Sequence, residues 1–209
     1  MSKLIELIIL AGPSGVGKTS IVKNLLQDEE LNLKKVVTIT TRDMRENEIE
    51  GEDYYFVNYK TYADKLRKNE LAFSVRFAGK FYGLEKKEIE KWTNEKKIPL
   101  FVGGFKDAES FHQQLKEKAL VIKVLPESKE QLKDHLTYRD KGNTNALSER
   151  LSKFDDSRNW INSYWYSVTN HENKLNETIA KIKSIIIKET KEMSLEHSSD
   201  QKSKELELE

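Results

Sequence analysis

The sequence predicts an α/β fold in which a parallel sheet carries helices on both faces. Two observations predict it. Short, nearly continuous apolar runs alternate with segments of helical period, as strands buried on both sides of a parallel sheet require. The first run also leads straight into a glycine-rich loop and then a helix, the opening unit of such folds.

The first strand is Leu4 to Leu10. The loop after it fits G-x-x-x-x-G-K-[ST] from Gly12 to Thr19, and Lys18 to Leu26 follows with Ile21, Leu25 and Leu26 on one helical face. This is the context of a phosphate-binding P-loop. Its glycines let successive N–H groups turn inward, and the helix N-terminus adds partial positive charge. The residues expected to hold a nucleoside triphosphate are therefore Gly12, Pro13, Ser14, Gly15, Val16, Gly17, Lys18, Thr19 and Ser20. Lys18 is placed to reach the outer phosphates, and the Thr19 hydroxyl to ligate Mg2+.

Lys35 to Thr40, rich in Val, Ile and Thr, reads as the second strand. A polar loop follows with Arg42 and Arg45 three residues apart, then Tyr54. Planar guanidinium groups at that spacing suit an anionic phosphate, although Asp43, Glu46 and Glu48 could equally pair with them on a solvated loop.

The P-loop and the stretch Thr40-Thr41-Arg42…Arg45…Glu48…Gly51…Asp53-Tyr54…Phe56-Val57 together resemble the guanylate kinase family. The likeness extends, more weakly, from about Leu4 to Ile187. It implies a P-loop NTPase-type fold for residues 1–190, with an NMP-binding insertion over about 36–97 and a lid over about 136–150. By resemblance Thr38, Arg42, Arg45, Tyr54 and Tyr82 bind the acceptor. Lys18, Arg42, Arg139 and Arg150 handle the transferring phosphoryl group, the last two from the lid, where His135 and Asp140 depart from the family's arginine and glycine.

Along the rest of the chain, Tyr59 to Lys68 and Glu85 to Glu95 read as helices and Leu71 to Phe77 as a strand, while Phe81-Tyr82-Gly83 resembles the family's aromatic hairpin. Pro99 to Val102 and Ala119 to Leu125 are buried-strand candidates. Asp107 is expected to N-cap a helix through Leu115, and Ser128 to cap the next with Gln131 completing a capping box. Asn145 to Tyr166 reads as a long helix, Val168 to Asn170 as a last strand, and Lys174 to Lys188 as an amphipathic helix. From 191 to 209 the apolar pattern stops, and a disordered charged tail is expected.

The family's base-reading acids are missing. By ungapped alignment Phe73 stands at one such position, Val102 and Gly104 at an acidic pair of which the family uses one for the magnesium shell and the other for guanine, and Leu84 replaces a serine. Phenylalanine cannot accept a hydrogen bond, so the resemblance with these departures implies weakened guanine selectivity. Three functions fit: transfer from ATP to GMP, transfer by the same fold to another phosphorylated acceptor such as ribose 1,5-bisphosphate, or a guanylate kinase-like binding module without catalysis. The intact P-loop argues against the last.

Composition narrows the partners. The 36 basic and 35 acidic residues of this 209-residue chain nearly cancel, so net charge argues for no nucleic-acid partner. The absence of cysteine excludes disulfides and thiolate chemistry. No stretch approaches the length of a membrane span. The expected partner is a small nucleotide or sugar-phosphate acceptor, the expected location cytoplasmic, and monomer and homodimer both stay open.

Overall fold

Five apolar strands pair side by side in the computed structural model, which describes residues 5–46, 48–77, 79–139 and 166–206. They are β1 (Leu7–Ala11), β2 (Leu33–Lys35), β7 (Ile98–Gly103), β8 (Ala119–Pro126) and β9 (Tyr166–Asn170), in the order β2-β7-β1-β8-β9 and all parallel. Side chains alternate along β1. Ile8 and Leu10 join one core with Ile21 and Leu25 of helix α1 (Lys18–Gln27) and Ile182 and Ile186 of the C-terminal helix α6 (Leu175–Leu206). Leu7, Ile9 and Ala11 join the opposite core, with Ile89 of α3 (Lys86–Asn94) and Phe105, Ala108 and Phe111 of α4 (Phe105–Leu115). Both faces are thus dry, which is why β1 reads as an unbroken apolar run. Each fully buried Leu or Ile contributes about 1.5–3 kcal/mol.

Residues 38–85 form the insertion. A second sheet, ordered β4-β3-β6-β5, contains β3 (Thr38–Thr40), β4 (Tyr54–Phe56), β5 (Leu71–Phe77) and β6 (Lys80–Glu85). Helix α2 (Tyr59–Arg67) packs on its outer side through Tyr62. The Tyr62 hydroxyl donates to the Tyr82 carbonyl (2.7 Å) and lies 2.8 Å from Ser74 Oγ, fastening helix to hairpin.

The stretch expected to be one strand from Lys35 to Thr40 is two strands in two sheets. Lys35 still pairs with Leu100 on β7, and the Val36 N–H bonds to the Leu100 carbonyl. The Val37 N–H then turns to Glu88 Oε1 (3.3 Å), and by Ile39 the partner is Gly83 of β6. Composition alone marks such a run as extended but does not reveal the change of partner.

Helix α4 begins at Phe105, two residues before the expected cap. Gly104 precedes it, and Asp107 sits inside the first turn, with Oδ2 accepting the Gly104 N–H (2.8 Å). The reach-back half of a capping box is therefore present, and Asp107 is not itself the N-cap. The next helix, α5 (Lys129–Arg139), does start with Ser128, whose Oγ accepts the Gln131 N–H (3.0 Å). The long helix expected over 145–166 lies outside the described residues apart from Tyr166, which begins β9. At the C-terminus the backbone of α6 stays helical to Leu206, past the start of the expected disordered tail. No glycine or proline follows Gly142 to stop it.

Candidate active site

The P-loop joins β1 to α1 at the carboxyl end of the main sheet, where such sheets bind ligands. Gly17 immediately precedes α1 with φ of +92°, a conformation that disfavours any side chain, and a Cβ there would meet Asn170 Nδ2 at 2.7 Å. Asn170 is the loop's buttress: Nδ2 donates to the Val16 carbonyl (3.0 Å), and Oδ1 accepts from Thr178 of α6 (3.0 Å). His135 of α5 braces the other side, its Nδ1 3.0 Å from the Gly15 carbonyl. Neither role was legible in the sequence, because both partners lie more than a hundred residues from the loop.

Within this frame Lys18 Nζ donates to the carbonyls of Gly12 (2.6 Å) and Pro13 (2.8 Å), arching over the loop. The backbone N–H groups of Gly15, Gly17 and Thr19 have no partner among the described residues. Unpaired N–H groups at a helix N-terminus, beside an ammonium group, suit the phosphates of a nucleotide. Ser14, Thr19 and Ser20 are exposed, with the Thr19 hydroxyl one residue from Lys18. Among the described residues no cluster of three or more His, Asp or Glu could hold a metal. A magnesium ion fits here with Thr19, phosphate oxygens and water as ligands, since that ion needs few protein groups.

The acceptor-side residues share one face of the insertion sheet. Thr38 and Tyr54 are register partners, as are Thr40 and Tyr82, so their side chains lie on the same side. Arg42 is stacked against Tyr54 and Phe56, its guanidinium 5.3 Å and 5.6 Å from their ring centres. Glu48 grips it with two hydrogen bonds (2.6 and 2.8 Å) and also accepts the Arg45 N–H (2.9 Å). The Arg42 bond holds the Glu48 carboxyl below the usual glutamate range, and Glu48 in turn raises Arg42. Arg42 thus pairs with Glu48, one of the three acids expected to compete for it, and lies against the Tyr54 ring. The Arg45 side chain is exposed, with only its backbone bonded. Burial raises the Tyr54 hydroxyl above the ordinary tyrosine value, which keeps it protonated and able to donate. The Thr38 hydroxyl makes no hydrogen bond among the described residues.

The apolar end of this face is closed. Phe73 is 2% exposed and stacks on Phe111 of α4 (centroids 4.0 Å, 17° between planes), with Phe101 alongside at 6.3 Å. Leu84 is fully buried in the same cluster. These positions therefore serve packing between insertion and main sheet in this structure. Val102 packs into the core on the α1 side of the sheet.

One acidic group missed as a site residue is Asp107, in the first turn of α4 just after β7, whose Gly103 carbonyl accepts the Gly12 N–H of the P-loop (3.1 Å). Burial raises the Asp107 carboxyl above the ordinary aspartate range, while the Lys18 charge acts to lower it. The Asp107 charge in turn acts on Tyr54. The signal available in the sequence was an acid three residues after Gly104, a position read as a helix cap.

Arg139 ends α5, and its side chain, like all of Arg150 and the lid beyond residue 139, lies outside the described residues. No helix among the described residues is long and apolar enough to cross a membrane.

A guanylate kinase family profile matches residues 5–189. The guanylate kinase of Clostridium tetani is 32% identical over 180 residues, covering 86% of this chain and 84% of its own. That of Mycoplasma mobile is 32% identical over 193 residues, covering 90% and 95%. The crystal structure of guanylate kinase from Anaplasma phagocytophilum superposes with a TM-score of 0.67 at 25% identity, covering 90% of this chain and 87% of that one.

Proposed function

The chain belongs to the guanylate kinase family, and on that premise we propose that it transfers the γ-phosphoryl group of ATP to GMP, giving ADP and GDP. The observation that supports the reading is the presence of two sets of anion-binding groups in one chain. The P-loop has, beside Lys18, backbone N–H groups of Gly15, Gly17 and Thr19 without a partner among the described residues, and Arg42, Tyr54 and Tyr82 come together on one face of the insertion sheet.

In this reading Lys18 leaves its carbonyl partners to hold the outer phosphates of ATP, while Gly12 to Ser20 wrap the chain around them. The Thr19 hydroxyl would hold a magnesium ion, which would supply neutralisation of the phosphate charge. Arg42, kept in place by Glu48 and the Tyr54 ring, presents its remaining N–H donors to the GMP phosphate. Tyr54 and Tyr82 add hydroxyl donors, Arg45 closes from the exposed side, and Thr38 offers its hydroxyl to the base. Holding both anions within one site converts a bimolecular encounter into a positioned reaction, the main source of rate in phosphoryl transfer. Arg139 and Arg150 are assigned to the lid that closes over the transferring group.

The test is ATP consumption with Mg2+ and, separately, GMP, AMP, UMP and ribose 1,5-bisphosphate. GDP formation with GMP as the preferred acceptor is expected. Turnover only with the sugar bisphosphate, or ATP binding with no turnover on any acceptor, would overturn the reading.

A further inference from the structure

We propose that Asp107 is the specificity-determining residue for the acceptor base, its carboxylate accepting hydrogen bonds from the N1–H and 2-amino group of guanine. The proposal rests on GMP being the acceptor.

Placement is the first argument. Asp107 and Phe111 are four residues apart on α4 and so lie on one side of that helix. Phe111 stacks on Phe73 of the insertion sheet. Asp107 is therefore one turn nearer the P-loop on the side of α4 that meets the insertion. The acceptor phosphate is assigned to Arg42 and Tyr54, and a nucleoside extending from it toward α4 meets Asp107 before the closed phenylalanine cluster.

Room is the second argument. Gly103 and Gly104 carry no side chains, and Asp107 Oδ2 lies beside the space that leaves. Cβ atoms built at those glycines would lie 2.9 Å and 3.4 Å from it. The carboxylate thus reaches, from one helical turn later, into contact with the place where a side chain of residue 104 would begin.

Supply is the third. A guanine edge presents two donors that, once buried, need an acceptor. The other partly or fully buried carboxylates around the insertion are engaged. Glu48 holds Arg42, Glu85 holds Lys65 at 2.6 Å, and Glu88 accepts from Val37 and Trp92. Asp107 has one hydrogen bond, from the Gly104 N–H to Oδ2, and Oδ1 has none among the described residues. Its burial in the cleft strengthens any hydrogen bond that it accepts.

The experiment uses the full chain with saturating ATP and Mg2+. Wild type is compared with Asp107→Asn, whose side-chain oxygen can still accept the Gly104 N–H. The expected result is a fall of roughly a hundredfold in kcat/KM for GMP, carried mainly by KM, with the KM for ATP and the Mg2+ requirement unchanged. Ligand-free Asp107→Asn should melt no lower than wild type, since a buried charge is removed. A drop in kcat at unchanged GMP KM with a higher Mg2+ requirement would overturn the proposal in favour of a metal-shell role, and unchanged kinetics would also overturn it. A second measurement needs only the wild-type chain. Binding of GMP should exceed that of 1-methyl-GMP and of IMP by about tenfold or more, and equal binding of all three would refute base reading by any carboxylate. Wild-type inactivity on GMP would instead remove the GMP premise and the proposal with it.

Discussion

The two phosphate sites proposed for this molecule are built in opposite ways. The donor half is nine consecutive residues, Gly12 to Ser20, shaped by backbone geometry between one strand and one helix. The proposed acceptor half is assembled from β3, β4, β6 and the loop holding Arg42 to Glu48, with Asp107 proposed to join it from α4. A contiguous backbone device tolerates little change, because its donors are main-chain groups and its φ angles admit few side chains. A site assembled from side chains on separate elements can move a function from one position to another.

Four substitutions sharpen the contrast, beginning with the largest effect. Lys18→Ala should lower kcat by roughly two to three orders of magnitude, as loss of one charge-stabilising donor does, with GMP affinity unaffected. Single-turnover assays would show it, and near wild-type kcat would break the donor assignment. Phe73→Glu comes next. It places a charge where Phe111 stacks at 4.0 Å, so stability should fall by about 3–5 kcal/mol in urea unfolding. A gain in GMP use without that loss would show that the cluster is an open pocket. Arg42→Ala should raise the GMP KM by about tenfold to a hundredfold while the ATP KM changes little. Equal changes in both would erase the division into halves.

The smallest effect concerns Glu48. Its carboxyl is held below the ordinary value of 4.5 by Arg42, so its contribution is complete at neutral pH and disappears as pH falls through the depressed value. Glu48→Gln should lose about 1 kcal/mol at pH 7 and flatten the acid limb of the stability profile. An unchanged acid limb would mean that the pair contributes nothing to folding.

The same contrast explains what could be read before the structure. The donor loop announced itself, since its residue types, order and flanking elements all lie within one stretch. Arg42, Arg45, Tyr54 and Tyr82 were found through family likeness to a long motif, and the structure brings Arg42, Tyr54 and Tyr82 together. Long-range partners were silent. Nothing in Lys35 to Thr40 reveals that the strand changes sheets, because either sheet rewards the same Val and Thr composition. Phe73 could be placed opposite an absent acid by alignment, but its burial against Phe111 depends on a helix that begins 32 residues further along, at Phe105. Asp107 was visible as an acid near a helix start, which local rules assign to capping; only the fold brings that helix start beside the P-loop, where Gly103 accepts the Gly12 N–H.

In the proposed function both halves serve one two-nucleotide site. Calorimetric titration with a bisubstrate analogue joining adenosine and guanosine through five phosphates tests it directly. Binding of one analogue per chain, at least about a hundredfold tighter than ATP or GMP alone, is predicted, with the gain lost in both Lys18→Ala and Arg42→Ala. Affinity no higher than that of ATP, and indifferent to Arg42, would contradict it.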